Sequence, residues 1–149
     1  MAGLPSGTYS FLDVVANITG PGGNVNLGEG SGDAEEGITI ERNGDRDTMT
    51  IGADGTPMHS LRADKSGTIT VRVLKTSPTN ALLQAMYDTQ AVSSAVWGNN
   101  ILHIADVARG DATIAQGVAF RRFPGITYAA NGNVNEWAFN CGYIDSVLG

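Results

Sequence analysis

In the run TITVRVLK, Ile69, Val71 and Val73 alternate with Thr68, Thr70 and Arg72. A period of two predicts a strand with one buried and one wet face. The same rhythm places Ile38 and Ile40 against Thr39 and Glu41, then Met49 and Ile51 against Thr48 and Thr50. With NGD between them, this stretch reads as one hairpin. YSFLDVVANI, from Tyr9 to Ile18, predicts an opening strand that stops at the turn cluster TGPGG. MHSLRA predicts a short strand. ILHIADVA, ATIAQGVAF and VNEWAFNCGYIDSVL predict three more, the last with Trp137, Phe139, Cys141 and Tyr143 on one face.

The period changes at Ser77. Ser77 suits a helix cap and Pro78 a first helical position, and Leu82, Leu83, Met86, Tyr87 and Gln90 follow at helical spacing. One amphipathic helix is therefore expected from about Pro78 to Ser93. The fold expected is mostly β: an antiparallel β-sandwich or open barrel with one flanking α-helix. With 149 residues and no linker or internal repeat, the chain reads as a single domain spanning 1–149.

Composition sharpens this picture at three points. Glycine, with 20 residues, is about twice its usual share and points to many turns. It concentrates from Gly20 to Gly37, where Gly28, Glu29, Asp33, Glu35 and Glu36 sit in a stretch without a single base. Such a segment is too polar for a core and long for a passive connection, and predicts an interaction loop. The net charge of −6 opposes general attraction to nucleic-acid phosphates. Cys141 is the single cysteine, so no internal disulfide is possible and a reducing cytosol suits folding. The sequence predicts neither a membrane span nor an export signal.

Candidate chemistry is sparse. Asn43, Asp45, Asp47 and Asp54 fall at the first, third, fifth and twelfth places of a calcium loop. Thr48 stands where such a loop needs glycine, and the strand-like alternation from Thr48 to Ile51 carries Asp54 away from Asp47. His59, His103 and Cys141 lack zinc or nucleophile spacing, which predicts surface histidines and a core cysteine. GPGG at Gly20 to Gly23 misses the GxGxxG pattern, and Pro21 removes an amide that a phosphate cradle would use. No cofactor is expected. A pair of carboxylates meeting in space, as in glycoside hydrolysis, stays open at this level, although acids beside turn glycines are commonly solvated loop charge. Trp137 reads as core and Trp97 as the surface aromatic. Lys65, Arg72, Lys75, Arg121 and Arg122 are scattered bases that would suit an acidic surface of a neighbouring copy.

YSFLDV, GPGG, AEEGITI, TMTIGADG, MHSL, KSGTITVRVLKTSP and WGNN, with the closing EWAFNCGYI, together span nearly the whole chain. In these segments the sequence resembles the tail tube, or inner tube, proteins of contractile-tailed bacteriophages, a family of virion structural proteins without enzymatic activity. The resemblance implies hexameric rings stacked into a hollow tube, with sheath, tape-measure and baseplate proteins as partners. It also implies a place in the phage tail after assembly in the host cytoplasm, and genome DNA passing through the lumen without specific binding. On that basis Thr39, Glu41, Asp45, Asp47, Thr48 and Thr50 are expected to face the lumen, where negative charge repels phosphate. Gly28, Glu29, Asp33, Glu35 and Glu36 are expected to contact an adjacent subunit or ring. The alternative within virion proteins is a tail terminator, baseplate hub or adsorption module, with Trp97 on its recognition surface.

Overall fold

The computed structural model describes residues 7–10, 13–29, 37–132 and 134–149. Seven antiparallel strands form one curled sheet, a half-barrel, in the order β2-β1-β7-β8-β9-β6-β3. Its members are β1 (Val14–Gly20), β2 (Gly23–Glu29), β3 (Gly37–Arg42), β6 (Gly67–Leu74), β7 (Asn100–Asp106), β8 (Asp111–Arg122) and β9 (Val134–Val147). β4 (Asp47–Ile51) and β5 (Pro57–Leu61) form a separate two-stranded ribbon, and α1 (Thr79–Ala91) follows β6. The mostly β, antiparallel open architecture with one helix is the one expected.

Period-two alternation builds the core. Gly67, Ile69, Val71 and Val73 of β6 are buried while the residues between them are half-buried, and Ile38 and Ile40 of β3 stand in register with Val71 and Ile69. Trp137, Phe139 and Cys141 continue the inner face on β9, as do Val118 and Phe120 on β8. Ile144 rather than Tyr143 continues that face, because two successive outward residues, Gly142 and Tyr143, intervene. On β8 the same step occurs at Gln116 and Gly117, where Gly117 takes a φ of +62° and lies against Gly142. Both strands thus bend at one point, which glycine permits and a side chain at positive φ would resist.

Three further expectations need correction. The predicted loop at 20–37 begins as β2: Val25 and Leu27 alternate with Asn24 and Asn26 and are buried, so two apolar side chains suffice to pair the segment with β1. The opening strand runs from Val14 to Gly20, not from Tyr9, and Tyr9 is exposed. Most consequential, β3 does not pair with β4. β3 pairs with β6 and β4 with β5, since Ile38 and Ile40 gain a core partner in β6 that the exposed β4 cannot offer. The two ladders are segments of one long hairpin. The Asn43 amide bonds the Ser66 carbonyl and the Arg62 amide the Arg46 carbonyl, with a one-residue change of register between them. NGD therefore marks that step, and the true turn is Gly52 to Gly55, closed by Gly55 N–H to Gly52 O and Gly52 N–H to Thr56 O.

The helix begins at Thr79 with Pro78 as its cap residue, and the Ser77 hydroxyl accepts the Thr79 amide at 3.2 Å. Leu83, Met86 and Gln90 are buried and Tyr87 packs against the core, but Leu82 is exposed. Buried side-chain amides hold the helix in place. Gln90 and Asn100 exchange two hydrogen bonds of 2.7 Å, Gln90 donates also to the Pro21 carbonyl, and Asn100 to the Val118 carbonyl. Gly20 is required there, as an added Cβ would stand 1.9 Å from Asn100 Oδ1. At the other end Asn80 donates to the Leu74 carbonyl and accepts from Trp137 Nε1 at 3.0 Å.

Candidate assembly surfaces

Strand alternation assigns the surfaces. Outward from the core, β3, β6 and β9 present Thr39, Glu41, Thr68, Thr70, Ala138 and Asn140 in cross-strand rows. The rows run Thr39 to Thr70 to Ala138, and Glu41 to Thr68 to Asn140. Arg72 crosses this face, donating to Thr39 Oγ1 at 3.0 Å and to Glu136 Oε1 at 3.1 Å. Arg122, the register partner of Ala138, adds a second base. The result is a hydroxyl and amide wall on which Glu136 is paired and Glu41 is exposed. Thr68, Thr70, Ala138 and Asn140 were not singled out from the sequence, although the alternation of TITVRVLK placed the two threonines on a wet face. Those of β9 became assignable once its pairing with β6 was known.

The six residues expected at the lumen do not form one face. Thr39 and Glu41 belong to the sheet wall. Thr48 and Thr50 lie on the ribbon, across from Ser60 and Met58. Asp47 points to the opposite ribbon face with Met49 and Ile51, and its Oδ2 meets His59 Nδ1 at 2.8 Å. Asp45 is exposed in the connection between β3 and β4. At the ribbon tip, the amide and hydroxyl of Thr56 hold the Asp54 carboxyl below its ordinary pKa, and Ser66 does the same for Asp64 at the base. Lys65 tethers the base to β9, donating to Tyr143 Oη at 3.0 Å and Asp145 Oδ1 at 3.2 Å. These two partners raise its pKa. Of the residues expected in the interaction loop, Gly28 and Glu29 end β2, an edge of the sheet, and Asp33, Glu35 and Glu36 lie outside the described residues.

Among the described residues, no three or more His, Cys, Asp or Glu side chains gather as a metal set. His59 stands on the ribbon and His103 on the outer face of β7, while Cys141 is buried and desolvation raises its pKa to about 11. Trp97 remains partly exposed and packs edge-on against Tyr87, with centroids 6.0 Å apart. A cleft of about 290 Å³ opens beside β3, lined by Val14, Ile38, Ile40 and Ile104 with Asp106 and Asp111 at its edge. Among the described residues, no helix is long and apolar enough to cross a membrane.

The open antiparallel half-barrel with one helix and a two-stranded ribbon is similar in fold to chains of contractile injection machines. A chain of the sheath-tube complex of the extracellular contractile injection system PVC, in its extended state, is similar at 10% identity, covering 90% of this chain and 88% of that one with a TM-score of 0.56. The tube terminating cap of the anti-feeding prophage is similar at 8% identity, covering 100% and 96% with a TM-score of 0.61. A chain of the six-fold symmetrised baseplate of that prophage is similar at 9% identity, covering 97% of each chain with a TM-score of 0.56. These likenesses define the fold. No curated protein matches the sequence. The family model of the bacteriophage PhiTE tail tube protein matches residues 6–149, and the chain belongs to that family.

Proposed function

We propose that six copies of this chain close into a ring, that rings stack into the inner tube of a contractile phage tail, and that the genome leaves through its lumen. The observation that carries this reading is the outer wall of β3, β6 and β9 in a chain of the tail tube family. A surface that DNA slides past should hold it nowhere. Thr39, Thr68, Thr70 and Asn140 offer short polar side chains, Arg72 is paired with Glu136, and the exposed Glu41 offsets Arg122, so the wall carries no net positive charge to hold phosphate. We place this wall at the lumen. Thr48 and Thr50 extend a hydroxyl strip along the ribbon, and the net charge of −6 per copy makes the assembled conduit negative. No catalytic step is assigned.

Ring closure uses the outer strands. Among the described residues β2, ending at Gly28 and Glu29, and β3 are the two outermost strands of the sheet, and a neighbour's strand can pair alongside them. Sheath, tape-measure and baseplate proteins are the expected partners, the virion tail is the site of action and the host cytoplasm the site of assembly. Negative-stain electron microscopy of the concentrated chain tests the reading, with hollow tubes of uniform width expected. Discrete closed rings that never stack would favour a terminator instead, a reading supported by the likeness to the anti-feeding prophage cap. Within tubes, Glu41→Lys should leave the diameter unchanged and slow genome delivery. Unchanged delivery would remove Glu41 from the lumen.

A further inference from the structure

Where the ribbon leaves the sheet, the ladder alone does not fix its direction. The β3–β6 ladder ends at Arg42 and Gly67, the β4–β5 ladder at Asp47 and Leu61, and the register steps by one residue between them. A step of this kind leaves two strands able to bend and twist together. Bonds inside the connection join its strands to each other: Asn43 Nδ2 donates to Ser66 Oγ at 3.2 Å, and the Arg46 guanidinium to the Arg62 carbonyl at 2.9 Å. They close the connection and leave its angle to the sheet open. Lys65 supplies what they lack. Its carbonyl accepts the Ile144 amide at 2.9 Å, while its ammonium reaches Tyr143 Oη and Asp145 Oδ1 and lies 4.7 Å from the centroid of the Tyr143 ring. One residue at the base of the ribbon thus grips three successive residues of β9.

We propose that Lys65 is a positioning residue that locks the ribbon at one angle to its own sheet before copies meet. The proposal rests on the tube-subunit reading for its use, because an element already aimed has less freedom to lose when subunits pack. The geometry differs from that of a chance surface pair. Backbone and side chain act together, so the ammonium bonds form only when the base of the ribbon lies on β9. A carboxylate, a phenol and an aromatic face converge on one cation, more than an isolated exposed ion pair provides. The Lys65 side chain is 30% exposed against 61% for Asp145, so the fold covers the cation. Gly67 keeps the approach close: an added Cβ would stand 2.3 Å from the Glu41 carbonyl oxygen and 2.5 Å from Ile144 Cδ1. The two outward residues Gly142 and Tyr143 also gain a reason, since that step in β9 delivers the Tyr143 hydroxyl to Lys65.

Two spin labels read the angle. Ala53→Cys at the exposed ribbon tip and Gln84→Cys on the exposed side of α1, in a Cys141→Ala background, give a distance distribution by pulsed electron spin resonance on the dissociated chain. One narrow distribution is expected with Lys65 in place. Lys65→Met keeps the apolar stem and removes the donors. It should broaden the distribution at least about twofold with little change in melting, as loss of a partly exposed tether allows. Asp145→Asn and Tyr143→Phe should each broaden it less, and each should add little to Lys65→Met. Hydrogen exchange at the Ile144 amide should quicken several-fold in Lys65→Met, while that of Phe139 stays as in wild type. A lysine that only adds stability would lower the melting temperature and leave both the width and the Ile144 exchange unchanged, and that result would overturn the lock. If Lys65→Met does not fold, the two β9 variants decide by the same readouts. In sedimentation Lys65→Met should need several-fold more protein to associate. An equal threshold beside a broadened distribution would overturn the part played in assembly. A wild-type chain that never forms tubes would overturn the tube reading and leave the lock standing, because the distribution is read before association.

Discussion

Gln90 and Asn100 show how much of this protein rests on single polar side chains. Each is fully buried and each satisfies the other, so replacing one strands its partner. Gln90→Leu should cost about 1–3 kcal/mol, measured by chemical denaturation, with α1 losing its tie to the Pro21 carbonyl. Cys141 makes a second residue-scale prediction. Its buried thiol keeps its proton to about pH 11, whereas an unfolded thiol ionises near pH 8.5. The unfolded chain therefore binds fewer protons above that point, and stability should fall with rising pH by up to about 1.4 kcal/mol per unit until the buried thiol also titrates. Cys141→Ala should lack that part of the alkaline slope. A water-soluble thiol reagent at pH 8 should label Cys141 rapidly only after denaturant is added.

At the scale of elements, what was legible was whatever a period could carry. β6, β9 and the helix follow from TITVRVLK, EWAFNC and the spacing of Leu83, Met86 and Gln90. Partners were not legible, because alternation fixes which side chains share a face and says nothing of which strand lies alongside. Hence β3 and β4, adjacent in sequence, were joined across NGD, while the structure gives each a partner from the 57–74 stretch. β2 was hidden by the glycines around Val25 and Leu27. The step at Gly117 and Gly142 breaks the alternation with two outward residues in succession, and a strict period of two therefore puts Tyr143 on the wrong face. The candidate wall suffered likewise: Thr39 and Glu41 were found, while Thr68, Thr70 and Asn140 needed the ladder that unites them. The ribbon, exposed along both strands, should be the first element lost to a protease. Trypsin acting on the unassociated chain should cut at Arg46 or Arg62 before any site in β6 to β9, as mass spectrometry of the fragments would reveal.

For the whole molecule the net charge of −6 acts against every contact between copies. In the proposed assembly, ladder edges would draw copies together at short range, while like charge keeps them apart at the range of a Debye length. Raising salt from about 0.05 to 0.5 M shortens that range from more than 10 Å to less than 8 Å, so association should start at several-fold lower protein concentration, as light scattering would detect. Weakening by salt would instead assign the contacts to ion pairs.

The ribbon's ladder also bears on how such chains change over generations. Its two faces alternate residue by residue, so inserting or deleting one residue in a strand exchanges apolar and hydroxyl faces beyond that point. Changes of two residues in each strand preserve both faces while moving the tip by about 7 Å. Ribbon length is thereby quantised, and related chains should differ there by even numbers in each strand or carry a compensating bulge like the step between Asn43 and Arg46.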